Sequence, residues 1–391
     1  MKVSQVELLH CDGGWRVFSF CKITTDDGLV GYSEFNETYG SYGVSAAIER
    51  LAPRVVGQDP RANERIYWEL YSVTRQSPSG VITQAIAAIE NAIMDLKGKA
   101  LGVPVYELLG GPIRDRFRLY WSHCGTTRIM APQHAGVAPV KSLDDVSALG
   151  REVKEKGFSG LKTNILLFDN GPQVFMPGFG WSQVFCPELN ADRRVIEGLR
   201  DHIAAFREGA GPEMDILLDL NFNFKTEGYL KVTRALDDLG LFWFEIDSFD
   251  PRALAQIHRA TKTPLASCES LYGLREYRPY FENYATDVAI IDVPWNGIVQ
   301  SMKIAAMAEA YEINVAPHNF YGHLATFMSA HFCASIPNFR IMEIDIDDVP
   351  WKDDLVTQVP EVQDGHLVLP TGPGWGTEVD EDAVMAHPAQ Y

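Results

Sequence analysis

Three runs near the middle of the chain, Leu217-Leu218-Asp219-Leu220-Asn221, Phe242-Trp243-Phe244-Glu245 and Leu265-Ala266-Ser267-Cys268-Glu269, share one pattern: a few apolar residues and then an acid. Runs this short and this apolar suit strands buried on both faces, and the stretches between them carry the three- and four-residue apolar spacing of amphipathic helices. Strand then helix, repeated, is the signal for parallel βα units. Working outward, the same reading places strands near 118–123, 158–164, 215–221, 242–247, 264–269, 287–292, 313–318 and 339–343. Eight units spread over roughly 230 residues match a closed (β/α)8 barrel.

The flanks read differently. Val3 to Leu9, Trp15 to Thr24 and Val30 to Glu34 alternate like paired strands, with Asp26-Asp27-Gly28 as a hairpin turn because glycine tolerates the positive φ required there. From Ala46 to Leu109 the period becomes helical, with Ile48, Leu51, Ile66, Leu70, Ile82, Ile86, Ile89, Ile93 and Leu96 at three- and four-residue intervals. The tail from Val349 holds strand-and-turn material, Leu367-Val368-Leu369-Pro370 and Gly372-Pro373-Gly374-Trp375-Gly376, without a core of its own. It must pack on another body, and the N-terminal meander is the expected one. The predicted fold class is therefore α/β: a TIM-type barrel over 118–348, with an α+β capping domain over 1–117 and a C-terminal segment over 349–391 that packs on the cap.

Charge and cysteine usage narrow the function classes. The chain has 391 residues, 34 Lys and Arg against 52 Asp and Glu, and a net charge of -18, which excludes a general nucleic-acid binder. A hydrophobic fraction of 46% with 22% charged residues excludes disorder. Six cysteines lie without a C-x-x-C pair, so neither a zinc ribbon nor a disulfide framework is suggested, and reduced thiols in a cytoplasmic protein are expected. No secretory leader and no membrane-spanning apolar run is visible.

In a barrel of this kind catalytic groups come from the C-terminal ends of different strands. The predicted ends carry Lys162 and Asn164, Asp219 and Asn221, Glu245, Glu269, Asp292, His318 and Glu343, all polar or ionisable. Asp219, Glu245 and Glu269 end three successive strands, and three converging carboxylates repel unless a hard cation neutralises them, which suits Mg²⁺ with open positions for substrate. The alternative is three separate exposed loop acids. Lys162 and Asn164 point to the same side of one strand. Lys162 either neutralises an enolate as it forms or pairs with a structural acid such as a metal ligand; Asn164 cannot be a base. Asp292 and His318 end neighbouring strands, so Asp292 can fix the imidazole tautomer and leave the other nitrogen free for proton transfer. Glu343 is either a hydrogen-bonding partner of a developing oxyanion or an ordinary exposed acid. His123 and His323 are candidates for touching substrate, whereas His10, His202, His258, His366 and His387 read as bystanders.

These residues, taken in order, resemble the mandelate racemase branch of the enolase superfamily, and the likeness covers nearly the whole chain. Ala88-Ile89-Glu90-Asn91-Ala92-Ile93-Met94-Asp95-Leu96-Lys97-Gly98-Lys99, running into Leu108-Leu109-Gly110-Gly111, looks like the junction between that family's cap and barrel. The resemblance implies Mg²⁺ held by Asp219, Glu245 and Glu269, and abstraction of the proton α to a substrate carboxylate. It also implies a homo-oligomer and cap loops, around Cys11 to Arg16 and Asn36 to Tyr42, that close over the substrate. Trp15, Arg16 and Tyr39 are then candidates for substrate contact, each also compatible with cap packing.

Two departures select among reactions. Lys162-Thr163-Asn164 looks like the Lys-x-Asn of galactonate dehydratases rather than the paired bases common in the family, yet Asn221 stands where those dehydratases carry a His. A racemase needs proton-transfer groups on both faces of the substrate, whereas a syn β-elimination can use one group, His318, as base and then as acid. The expectation is a Mg²⁺-dependent sugar-acid dehydratase acting on a small hydroxy-carboxylate, with Asn164, Asn221 and His123 at the substrate. The alternatives are an epimerase, racemase or cycloisomerase on the same fold, or a non-catalytic sugar-acid binder. Between Phe168 and Leu189 an insertion rich in aromatics, Phe175, Phe179-Gly180-Trp181 and Phe185, reads as a lid or a subunit contact.

Overall fold

Alternation near the N-terminus becomes an antiparallel meander of Val3–Asp12, Val17–Thr25 and Val30–Asn36. One face packs through Ile23 and Phe35 on helices Val44–Val55, Asn63–Val73 and Val81–Leu101, which present Ile48, Leu51, Ile66, Ile89 and Leu96 of the apolar series read from the sequence. The structure, a computed structural model, describes residues 1–179, 186–188 and 190–389. Gly180, Trp181 and Phe185 of the aromatic insertion lie outside the described residues.

All eight expected barrel strands are present: Arg116–Trp121, Gly160–Thr163, Asp215–Asp219, Trp243–Glu245, Leu265–Ser267, Val288–Asp292, Asn314–His318 and Met342–Ile344. They follow one another in parallel order, and the ring closes where Met342 pairs with Leu119 and Val315 bridges Phe339. Closure removes the sheet edges that an open parallel sheet would expose. Side chains fill the interior, with Tyr120, Leu217, Trp243, Ala266, Ile290 and Ile341 among them, and Tyr120 meets Trp243 edge-on at 5.8 Å. The filled interior leaves chemistry to the strand ends.

The tail divides between two bodies rather than packing wholly on the cap. His366–Val368 pairs antiparallel with Arg116–Arg118, placing Leu367 opposite Phe117. Residues 116–118 precede the point at which the first strand meets its parallel neighbours, so their backbone groups need another partner. Farther on, the Trp375 indole N–H donates to the Tyr32 carbonyl at 2.8 Å, and its backbone N–H donates to Asp95 at 2.9 Å. Helix Glu381–Ala386 lies against the first cap strand.

Two cap carboxylates and one amide grip the barrel loops that matter most. Asn91 donates to the Val293 carbonyl (3.1 Å) and accepts the Ile298 N–H (2.8 Å), fixing the loop directly after Asp292. Glu34 accepts the N–H groups of Gly322 (2.6 Å) and Ala325 (2.9 Å), capping the helix His323–Ser335 that follows His318. Glu90 accepts the Val299 N–H, and a side chain at Gly297 would run into its carboxylate, so glycine at that positive φ makes the close approach possible.

Burial pushes the Glu90 carboxyl up to about 8, against the attraction of Lys303, with Glu64 adding repulsion. A raised folded value means the stabilising contribution is complete below the ordinary carboxylate range and is lost as pH rises through about 8. Glu90→Gln should therefore flatten the stability profile between those limits by up to about 1.4 kcal/mol per pH unit, read from urea unfolding at a series of pH values.

Candidate active site

The three acids from the opening runs stand at adjacent strand ends in register. Asp219 lies opposite Glu245, and Glu245 opposite Ala266, three residues before Glu269. Asp219 and Glu245 are 2% and 1% exposed, so the barrel mouth buries negative charge. Burial first, and then the neighbouring acids, push all three carboxyls above the usual range, with Lys162 pulling Asp219 and Glu245 back. The Lys162 ammonium sits 2.9 Å from Glu343, 3.1 Å from Glu245 and 3.5 Å from Asp219. Burial works against its charge, but Glu245 and Glu343 outweigh burial and hold it well above the ordinary lysine value.

As they stand, no three His, Cys, Asp or Glu side chains among the described residues are gathered closely enough to hold a metal ion. The expected cage is not assembled because Asp219 and Glu245 converge on Lys162 while Glu269 faces His318 Nε2 at 3.6 Å. In kind the donors do fit a hard divalent cation: two buried carboxylates, Asp219 and Glu245, and the half-buried Glu269, at neighbouring strand ends, repelling one another, with oxygen atoms alone to offer.

His318 Nδ1 lies 2.6 Å from Asp292 Oδ2, and the Tyr321 hydroxyl donates to the same carboxylate oxygen. Burial opposes a charge on His318, yet Glu269 and Asp292 together raise it to about 10. Asp292 is fully buried, also accepts the Trp295 N–H, and has no face on the cavity. This orients Nε2 toward the mouth.

A cavity of about 1170 Å³ opens between these strand ends and the cap. Asp219, Glu269, Lys162, His318, Asn221, His123, Trp15 and Tyr39 reach its wall. Glu245, Glu343, Asp292 and Asn164 stand behind it. Glu343 accepts from the Ser122 hydroxyl and the Asn319 N–H, and although burial opposes its charge, Lys162 holds its carboxyl well below the usual range. The exposed-acid reading of Glu343 is thereby excluded, since it is 0% exposed. Asn164 accepts from Thr126 (2.7 Å) and donates to Asn221 Oδ1 (3.0 Å), so it orders Asn221 from behind rather than touching the cavity.

Arg16 corrects an expectation. It is 6% exposed, pairs with Asp348 and Asp345, donates to the Phe320 carbonyl, and lies over the rings of Trp15, Phe18 and Phe320. Buried acids on the loop after the last barrel strand already answer its charge, and it braces the cap loop instead of lining the cavity. His123 lies on the wall, against Phe320 at 4.2 Å, and burial together with Lys162 lowers it to about 3. His323 faces Asp353 at 2.6 Å, off the cavity. Tyr321, Trp295 and Phe320 also line the cavity and were not singled out by the sequence pattern. Tyr321 follows His318 by three residues, a signal that proximity to a candidate base could have supplied.

Known proteins give the arrangement its relatives. Residues 145–383 match the model described as enolase C-terminal domain-like, and residues 15–110 match the N-terminal domain of mandelate racemase / muconate lactonizing enzyme. A D-xylonate dehydratase of Haloferax volcanii is 30% identical over 99% of this chain and 89% of its own length. A D-galactonate dehydratase of Xanthomonas oryzae pv. oryzae is 28% identical over 98% of this chain and 93% of its own. A solved structure from Burkholderia xenovorans strain LB400, bound to magnesium and fumarate and carrying the provisional name of an L-alanine-DL-glutamate epimerase, is 52% identical. It superposes with a TM-score of 0.97, covering 100% of this chain and 96% of that one.

Among the described residues, Lys162 is the cation that stands between Asp219, Glu245 and Glu343 inside the barrel mouth. Lys162→Met keeps the volume and removes the charge, leaving three buried carboxylates to repel. Metal-free protein should lose about 3–5 kcal/mol of stability in urea unfolding.

Proposed function

This chain belongs to the mandelate racemase and muconate lactonizing enzyme family of the enolase superfamily, and from that membership we propose that it is a Mg²⁺-dependent sugar-acid dehydratase. The reaction is removal of the proton α to a carboxylate and loss of the β-hydroxyl as water, giving a 2-keto-3-deoxy acid. Asp219, Glu245 and Glu269 would hold the cation, which supplies positive charge to the substrate carboxylate and so makes the α-carbon more acidic.

The observation that carries the reading is the pair His318 and Asp292, with Asn at position 164 in place of a second base. With the charge of Glu269 answered by the cation, a neutral His318 Nε2 would take the α-proton, Asp292 and Tyr321 keep the ring oriented, and the same nitrogen returns a proton to the departing hydroxyl on the same face. Lys162 stabilises the enediolate as a fixed cation, and Glu343 holds the lysine in place through the 2.9 Å contact. Asn221, with its oxygen occupied by Asn164, offers its amide N–H groups to a substrate hydroxyl. Relatives named for D-xylonate, D-gluconate and D-galactonate dehydration support a polyhydroxy acid as substrate.

A second reading, epimerisation, is favoured by the name of the 52% identical neighbour and by the presence of Lys162 and His123 on the cavity wall. It needs a proton-transfer group on the second face, and Lys162 is engaged with three carboxylates.

Screening a library of acid sugars with Mg²⁺ should give a keto acid detectable with semicarbazide. In D₂O an epimerase would instead exchange the α-proton into recovered substrate without releasing water. His318→Asn should lower kcat by at least about a hundredfold, the usual size of a general acid–base contribution, and full turnover in that variant would sink the mechanism.

A further inference from the structure

The reacting end of the substrate accounts for little of the cavity. Ligand clefts for drug-sized molecules measure about 300–1,000 Å³, this one holds about 1170 Å³, and an open-chain six-carbon acid is much smaller than such ligands. The surplus is walled by aromatic rings. On the barrel side Phe222 and Phe249 stack at 5.2 Å with planes 21° apart, and Phe179 meets Phe222 edge-on at 6.0 Å. Phe249 is 75% exposed although it follows a barrel strand end, where burial in the core is easily reached. On the cap side Trp15 lies 5.2 Å from Phe320, and the Tyr39 hydroxyl donates to the Trp15 carbonyl at 2.7 Å, which sets the tyrosine against the opening. Exposed aromatic area gathered at a cavity mouth marks a binding surface.

Charge narrows the ligand further. Among the described residues lining the cavity there is no arginine, and Lys162 is the one lysine, already shared among three carboxylates. The outer wall adds Glu276. A second carboxylate or a phosphate at the far end of the substrate would find neither arginine nor a second lysine there among the described residues, only imidazoles such as His134, and would face Glu276.

We propose that the site takes hydroxy acids whose far end is an uncharged ring, laid against Phe249 and Phe222, a specificity that rests on the acid-sugar reading for the carboxylate end. A pyranose and an aryl group share the chemistry required, a flat face of C–H or π character that an aromatic ring covers favourably. The ring stays outside the reacting carbons and adds binding energy from a remote part of the substrate.

The test uses the full chain with Mg²⁺ and three probes: gluconate, lactobionate, in which a galactosyl ring is attached to O4 of the same open-chain acid, and 4-O-benzylgluconate, in which a benzyl ring takes the galactosyl ring's place. Calorimetric affinity and keto-acid formation are both measured. At least one ring-bearing acid should exceed gluconate about tenfold in affinity or kcat/KM, the scale of an aromatic stacking contact, and which one does so identifies the ring. Phe249→Ala should erase most of that ratio, whereas Trp68→Ala, at an exposed aromatic on the cap helix Asn63–Val73 away from the cavity, should preserve it. Preference for gluconate, a ratio that survives Phe249→Ala, or binding of none of the three would overturn the proposal. Tight binding of a ring-bearing acid with α-proton exchange in D₂O but no keto acid would sink dehydration and leave the ring subsite standing. Keto acid from gluconate with no binding of either ring-bearing acid would do the reverse.

Discussion

Four acids and one lysine meet at the mouth of the barrel, and the energetic problem they pose governs the rest of the structure. Asp219, Glu245 and Glu343, all buried, and the half-buried Glu269 are drawn together by the geometry of strands that end at one rim. Lys162 neutralises part of that charge at contacts of 2.9 to 3.5 Å, and the imidazole of His318 faces the remaining carboxylate. Unpaired charge in such a place costs several kcal/mol. The arrangement therefore favours added positive charge, whether from a side chain or from a divalent cation.

Around that centre the cap acts as a brace as well as a cover. The loop that follows Asp292 is bonded to Asn91 and Glu90 of one cap helix, and the loop that follows His318 is bonded to Glu34 of the meander. The two strand ends whose side chains meet at 2.6 Å, Asp292 and His318, thus run into loops tied to the same external body. Arg16 extends the same principle to the other side, joining the loop Cys11 to Arg16 to Asp345 and Asp348 beyond the last barrel strand. Loops carry reactive groups with precision when a rigid scaffold positions them.

Much of this was legible in the sequence because the relevant signals are local. A short apolar run with a terminal acid specifies a buried strand and the chemistry at its end, so the eight strands, the order of Lys162, Asp219, Glu245, Glu269, Asp292, His318 and Glu343, and the cap helices could be read without coordinates. The tail was less legible: His366–Val368 has strand character, but its partner is decided by unpaired backbone at Arg116–Arg118, some 250 residues earlier along the chain. Arg16 stayed open between substrate contact and cap packing because a basic residue on a cap loop looks the same in sequence whether it faces substrate or a buried pair of aspartates.

The sequence by itself determined the barrel, the cap and the identity of the groups at the strand ends, since periodicity and terminal residues depend on near neighbours. Only the tertiary structure decided which of those groups face the cavity and which stand behind it. Glu343, Asn164 and Asp292 stand behind the cavity, Glu245 is reached only past Asp219 and Lys162, and Tyr321, Phe222 and Phe249 join the wall. That division follows from side-chain direction and long-range packing, to which a one-dimensional pattern is blind. It also fixed the size and aromatic character of the outer cavity, because rings contributed by the cap and by several barrel loops become neighbours only when the chain has closed.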